Sequence, residues 1–124
     1  MTRRRTASLV GLAALLAASG VAHFVVPKPY ARIVPSWVPD ADAAVFWSGV
    51  AEVALAAGLL HPRTRRASAW SAIALFVAVY PANIKHALDA ETGTAEWWLT
   101  RARLPLQAVL IWWAYTFARR PKPR

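Results

Sequence analysis

The sequence contains no cysteine. Disulfide bonds, thiolate nucleophiles and metal sites built on thiolates are therefore excluded together. Acidic residues are also few, since 6 Asp and Glu stand against 15 Lys and Arg and give a formal net charge of +9. The sequence has no catalytic-triad pattern, no phosphate-binding loop and no pair of carboxylates. It therefore carries no signal for an enzyme that acts on its own.

Apolar residues are abundant, with 57% of the 124 residues hydrophobic. Most of the charged residues lie between apolar segments and not within them. A strongly basic chain can indicate nucleic-acid binding, but basic residues that flank apolar segments are typical of membrane topology signals. We therefore predict an integral membrane protein whose partner is the lipid bilayer, with no nucleic-acid partner.

Four segments are apolar enough and long enough to cross a bilayer, which takes roughly 20 helical residues. We predict an all-α fold with transmembrane helices over about 7–26, 43–61, 67–87 and 97–118. These helices would form an antiparallel bundle within a single membrane domain covering residues 1–124. A cleaved signal peptide is the alternative for the first segment, but three further apolar segments favour a retained helix.

Residues 28–42 are predicted to form a loop. Proline lacks the backbone N–H of other residues and clashes with the preceding helical turn. Pro27 and Pro29 should therefore end the first helix, and Pro35 and Pro39 should prevent a new long one. A short segment lying on the membrane surface, or re-entering it, fits this composition.

Basic residues are concentrated on one side of the predicted bundle. They cluster at the N-terminus, in the turn between the second and third helices, and at the C-terminus (Arg3, Arg4, Arg5, Arg63, Arg65, Arg66, Arg119, Arg120, Lys122, Arg124). The opposite side holds every acidic residue except Glu52. Lys and Arg are enriched in cytoplasmic segments of membrane proteins. We therefore expect both termini to be cytoplasmic.

The most informative residue is Glu52, near the middle of the second apolar segment. An ionisable side chain at that depth costs roughly 2.5 kcal/mol or more, so it needs a partner, a ligand, water or a proton. The alternating helix directions place a set of polar side chains at a similar depth, in the midplane-to-outer half of the membrane. These candidate site residues are His23, Glu52, Asn83, Arg103 and Gln107.

Two interpretations of this set remain open. The polar groups could satisfy one another and only determine how the helices pack. They could instead line a pocket that binds a small hydrophobic molecule with a polar head, or that carries protons through Glu52 and His23. A direct Glu52–Arg103 ion pair is compatible with both. A metal site using His23, Glu52 and His86 is disfavoured, because the spacing matches no metal-binding motif.

Several short motifs occur in a fixed order between about Gly20 and Ala118: GVAHF, IVPSWVP, SGVAEVALAAGLL, PRTRRASAW, PANI and RLPLQ. In this combination the chain resembles the DoxX-like family of small bacterial membrane proteins. The resemblance implies a four-helix bundle in a bacterial plasma membrane. It also implies that the five candidate residues are family-motif positions.

Named members of that family include a subunit of thiosulfate:quinone oxidoreductase, and distant relatives act as receptor-assembly chaperones. The resemblance therefore implies a ligand-binding or accessory subunit of a membrane redox system. Quinone is then the candidate cofactor, and a membrane redox protein is the candidate partner. A thiol-based role cannot be carried over, because cysteine is absent. The alternatives are a structural or chaperone-like protein and a small proton-coupled carrier, which four helices would form only as an oligomer.

Overall fold

The computed structural model describes residues 1–119, and all regular secondary structure in this range is helical. The prediction of an all-α fold is confirmed for this part of the chain. Its helices are α1 (Arg3–Val25), α2 (Pro27–Arg32), α3 (Ala41–Leu60), α4 (Arg65–Asp89) and α5 (Ala95–Ala118). The last basic residues used in the topology prediction, Arg120, Lys122 and Arg124, lie outside the described residues.

Side-chain caps set the starts of three helices. The Thr2 hydroxyl accepts from the Arg5 amide, the Asp40 carboxylate from the Ala43 amide, and Thr94 from the Trp97 amide. Such caps satisfy amide groups that have no partner within the helix. Helix α1 therefore begins four residues earlier than the apolar segment alone predicts, and includes the arginines.

The predicted loop over residues 28–42 is wrong in its first part, because Pro27–Arg32 forms the short helix α2. Its prolines occupy the first turn, where the missing N–H group is not needed. The Tyr30 ring of α2 stacks on His23 with 4.0 Å between ring centroids. In addition, Lys85 Nζ donates to the Arg32 carbonyl at 2.9 Å. These contacts hold α2 across the ends of α1 and α4.

The long helices pack in sequence-adjacent pairs. Helix α1 packs along α3, α4 packs along α5, and α3 contacts α4. The closest approach of α1 and α3 is at Gly20 and Gly49. A Cβ atom on Gly20 would lie 2.9 Å from the Gly49 carbonyl oxygen, and a Cβ on Gly49 would lie 3.0 Å from that of Gly20. Glycine at both positions is what allows this crossing.

The main cluster of buried apolar side chains in the described residues lies toward one end of the molecule. Its largest members come from the first two thirds of α1, the second halves of α3 and α5, and the first half of α4 (Leu9, Leu12, Leu16, Leu59, Phe76, Phe117). At this end Arg5 donates to the Thr116 carbonyl and Arg66 to the Ala118 carbonyl, both at 2.8 Å. We call this the basic end, and the opposite end, which carries α2, the α2 end.

Helices α1, α3 and α4 are each long and apolar enough to cross a membrane. They indicate a membrane protein. Helix α5 has 24 residues, which corresponds to about 36 Å at 1.5 Å per residue. Its length is sufficient, but Arg101, Arg103 and Gln107 lie within the segment that would have to cross.

Candidate functional site

A cavity of about 410 Å³ lies between the helices toward the α2 end. All five residues singled out from the sequence line it: His23, Glu52, Asn83, Arg103 and Gln107. Most of the remaining lining is apolar. Polar side chains that the sequence interpretation did not include are Ser19, Tyr30 and Ser48. Tyr30 was missed because its segment was interpreted as a loop, and the Pro-x-Pro start of α2 is the signal that could have revealed it.

Glu52 is buried, with 9% of its surface exposed. Its Oε2 atom lies 3.5 Å from His23 Nδ1. The same Nδ1 is only 2.6 Å from the Ser19 carbonyl oxygen, which can only accept. The neutral His23 ring therefore carries its proton on Nδ1 and donates a hydrogen bond to the Ser19 carbonyl oxygen. Among residues 1–119, no group forms a hydrogen bond with Glu52 Oε2.

The His23 ring is held in place by two contacts, the Ser19 carbonyl and the stacked ring of Tyr30. With Nδ1 occupied as a donor, Nε2 of the neutral ring is left as an acceptor. Burial raises the pKa of the Tyr30 phenol above its ordinary value, the Glu52 charge adds to this, and Arg103 opposes it. Tyr30 is therefore protonated at neutral pH and can donate a hydrogen bond.

The Glu52–Arg103 ion pair that the sequence allowed is not formed in the described part of the chain. Arg103 Nη2 instead donates to His86 Nδ1 at 2.9 Å. A guanidinium can only donate, so Nδ1 of His86 accepts and its proton is on Nε2. That Nε2 lies 2.7 Å from the Glu96 carboxylate. The three side chains form a hydrogen-bonded series from the exposed Glu96 to the cavity wall.

His86 is therefore engaged with Arg103 and Glu96 and does not join His23 and Glu52. The described residues contain no group of three His, Cys, Asp or Glu side chains placed to hold a metal ion. The metal-site interpretation of His23, Glu52 and His86 thus has no geometric support.

Gln107 and Asn83 are both buried, at 5% and 9% exposure, but they differ in their bonding. Gln107 Nε2 donates to the Phe76 carbonyl at 3.1 Å and so links α5 to α4. This bond lies next to the carbonyl of Val77, which loses its helical donor because residue 81 is proline. The side-chain amide of Asn83, in contrast, makes no hydrogen bond with any part of the chain that the structure describes. Gln107 therefore links two helices, whereas the Asn83 side chain lines the cavity without a bond to the described chain.

Replacing Gln107 by methionine keeps the approximate shape of the side chain and removes its donor. We expect a loss of about 1 kcal/mol in the free energy of unfolding, since a buried hydrogen bond between α5 and α4 is lost. The control is Leu106→Met on the neighbouring, half-exposed position. Thermal unfolding in one detergent compares the two, and equal stability would show that the bond to Phe76 contributes nothing.

The sequence matches the profile of a protein family described as Domain of unknown function (DUF8561) over residues 12–118. No curated protein and no solved structure has significant similarity to the chain. The matched range covers most of the sequence and includes His23, Glu52, Asn83, Arg103 and Gln107. This membrane protein therefore belongs to the DUF8561 family.

Proposed function

We propose that this protein is a four-helix transmembrane bundle that binds a small hydrophobic molecule with a polar head group in the cavity at the α2 end. The observation that carries the proposal is that four helices each direct a polar side chain into one largely apolar cavity. Polar groups that serve only packing normally satisfy one another. Here Glu52 Oε2 and Arg103 Nε are buried with no hydrogen-bond partner in residues 1–119.

Helix α5 is the fourth transmembrane helix in this proposal. Its length of 24 residues and its packing along α4 support that assignment. We further propose that the basic end faces the cytoplasm of a bacterial plasma membrane, because Lys and Arg are enriched in cytoplasmic segments. The test is a reporter enzyme that works only outside the cytoplasm, fused to residue 1 or to residue 124. Activity of either fusion would contradict this orientation.

The lining of the cavity indicates the chemistry of the head group. Tyr30 and Asn83 can donate hydrogen bonds, and the Nε2 atom of His23 can accept one. Glu52 and Arg103 both line the cavity, so their formal charges offset each other and the ligand need not be charged. The volume of about 410 Å³ is in the range of small-molecule sites. A quinone fits this description, because its carbonyl oxygens accept hydrogen bonds and its ring is apolar.

The resemblance to DoxX-like proteins supports a role beside a membrane redox enzyme. We propose that the chain is an accessory or ligand-binding subunit and that a redox protein of the same membrane is its partner. Copurification of such a protein from native membranes tests this part. Recovery of the chain without any redox protein would argue against it.

Native mass spectrometry of the gently extracted protein tests ligand binding. We expect the wild type to retain a small molecule, or to take up added short-chain ubiquinone, and Asn83→Leu to lose it. Asn83 makes no bond to the chain, so its replacement should leave the fold intact. The control is Ser71→Ala, an exposed position on the same helix that does not line the cavity. A wild type that neither retains a molecule nor binds the quinone would overturn the proposal.

The second candidate is a structural or chaperone-like protein without a ligand. The Gln107 bond to the Phe76 carbonyl favours it, because this polar side chain links two helices. A protein partner whose recovery is unaffected by Asn83→Leu would support this candidate.

A proton-coupled carrier is supported less well. The route through Glu52 and His23 lacks a hydrogen bond between these side chains, because His23 Nδ1 donates to the Ser19 carbonyl. The series from Glu96 through His86 reaches the cavity only through Arg103, and a guanidinium does not release its proton in proteins.

A further inference from the structure

Helices α1 and α5 contact each other near the basic end. Trp113 Nε1 donates to Ser8 Oγ at 2.8 Å, and the Arg5 guanidinium lies 4.6 Å from the centre of the Phe117 ring. Gly11 also lies against Trp113, since a Cβ atom there would be 3.3 Å from the indole. Elsewhere α1 packs mainly on α3, and its packing against α5 is slight. The seam between α1 and α5 is therefore the weakly packed side of the molecule.

The faces of α1 and α5 that carry Ser8 and Trp113 form two facing stripes, and these continue toward the α2 end. On α1, Ser8 and Leu15 are seven residues apart and share one face, and on α5 the same holds for Trp113 and Leu106. The helices run in opposite directions, so seven residues move both stripes by about 10 Å toward the α2 end. Leu15 and Leu106 thus lie at the same level of the seam.

Leu15 and Leu106 both line the cavity, yet 42% and 51% of their surfaces are exposed. Their immediate neighbours Leu16 and Gln107 are only 1% and 5% exposed. Both side chains line the cavity and also reach the outer surface, and they come from facing helices, so the cavity opens between α1 and α5 on this side. Neither stripe carries a charged residue between these leucines and the Ser8–Trp113 contact.

The route from the α2 end is obstructed by comparison. Tyr30 of α2 and most of residues 33–38 line that end of the cavity, and Trp37 among them is also 73% exposed. Tyr30 is stacked on His23, and Lys85 is hydrogen-bonded to the Arg32 carbonyl, which ties α2 to α1 and α4. The lateral opening, in contrast, has apolar edges and faces the lipid in the proposed bundle.

We propose that the ligand enters sideways from the bilayer between α1 and α5, and that its tail stays in the opening between Leu15 and Leu106. This inference rests on the proposed function, because it requires a ligand in the cavity. It defines the ligand class more narrowly: an amphiphile with a small, uncharged, hydrogen-bonding head and an alkyl or isoprenoid tail. The head lies among His23, Asn83 and Tyr30, and the tail remains in contact with lipid.

Photolabelling of the full chain in phosphatidylcholine vesicles tests the route. The probe is a long-chain fatty alcohol that carries a diazirine in its chain close to the hydroxyl group, and the labelled peptides are mapped by mass spectrometry. In the wild type we expect adducts on the cavity segments around Ser19 and Ser48 as well as on lipid-facing peptides. In the double variant Leu15→Trp/Leu106→Trp, the cavity adducts should be lost and the lipid-facing ones retained.

The matched control is Val10→Trp/Val109→Trp, which places the same rings on the same helices at positions with 51% and 53% exposure outside the cavity. It should keep the cavity adducts. A second variant, Leu106→Ala, widens the opening and should increase them. Equal unfolding midpoints of the two double variants show that the loss does not arise from misfolding.

The outcomes separate this inference from the proposed function. Cavity labelling that survives Leu15→Trp/Leu106→Trp would overturn the lateral route. A wild type that retains a small molecule in native mass spectrometry but acquires no adducts in its cavity would also overturn it, and would leave ligand binding intact. A wild type that neither retains a small molecule nor acquires cavity adducts would overturn both the lateral route and the proposed ligand binding.

Discussion

Glu52→Lys is expected to destabilise the protein severely, whereas Glu52→Gln should fold almost as well as the wild type. The lysine places an ammonium beside His23, in a cavity that Arg103 also lines, with no carboxylate to pair with it. A cation at this depth costs about 3 kcal/mol. The glutamine removes the buried charge and keeps the size of the side chain. Expression level and the thermal unfolding midpoint in detergent measure the difference.

The control for this pair is Glu96→Lys. Its carboxylate is also bonded to a histidine, but 60% of the side chain is exposed. Exposed ion pairs contribute about 0–1 kcal/mol, so this charge reversal should have a small effect. If Glu52→Lys and Glu52→Gln had the same expression and the same unfolding midpoint, Glu52 could not be buried in a membrane-embedded site.

Gly20→Ala and Gly49→Ala are expected to lower the free energy of unfolding by about 2 kcal/mol each, as overpacked substitutions typically do. A Cβ atom on Gly20 would lie 2.8 Å from Val53 and 2.9 Å from the Gly49 carbonyl oxygen. A backbone oxygen cannot rotate away, so α1 and α3 must separate. This strain exceeds the gain of roughly 1 kcal/mol that alanine normally brings to a helix interior.

Gly11→Ala is the matched comparison on α1. Its new Cβ would meet only the Trp113 side chain, at 3.3 Å, and no backbone. We expect this variant to be close to the wild type in stability. Unfolding of the three variants in one detergent provides the test, and a Gly20→Ala protein as stable as Gly11→Ala would contradict the close crossing. Separation of α1 from α3 would also move His23 away from Glu52, so ligand retention should fall together with stability.

The sequence predicted the long helices well because their signals are local. A run of about 20 apolar residues requires a helix in lipid, since backbone polar groups find no other partner there. The predicted ranges 43–61 and 97–118 differ from α3 and α5 by at most two residues at either end. The short helix α2 was missed because the prolines of its first turn resemble those of a loop.

The members of the polar set could also be predicted, but their partners could not. Depth in the membrane follows from counting residues along each helix, and this placed the five cavity residues at similar levels. Rotation of a helix about its axis does not follow in the same way. Apolar residues surround nearly the whole of α3, because the lipid outside it is as apolar as the packed interior. Hydrophobic periodicity therefore indicates the buried face only weakly.

The sequence alone determined that this is an all-helical membrane protein with a basic end and a buried carboxylate, since length, hydropathy and charge are properties of the linear chain. Only the tertiary structure decided that Glu52 lies beside His23 and that Arg103 bonds to His86. The core at one end and the cavity at the other were likewise decided there. These features depend on which helix faces lie against each other. Close contacts between distant residues, such as Gly20 with Gly49 and Ser8 with Trp113, set that arrangement.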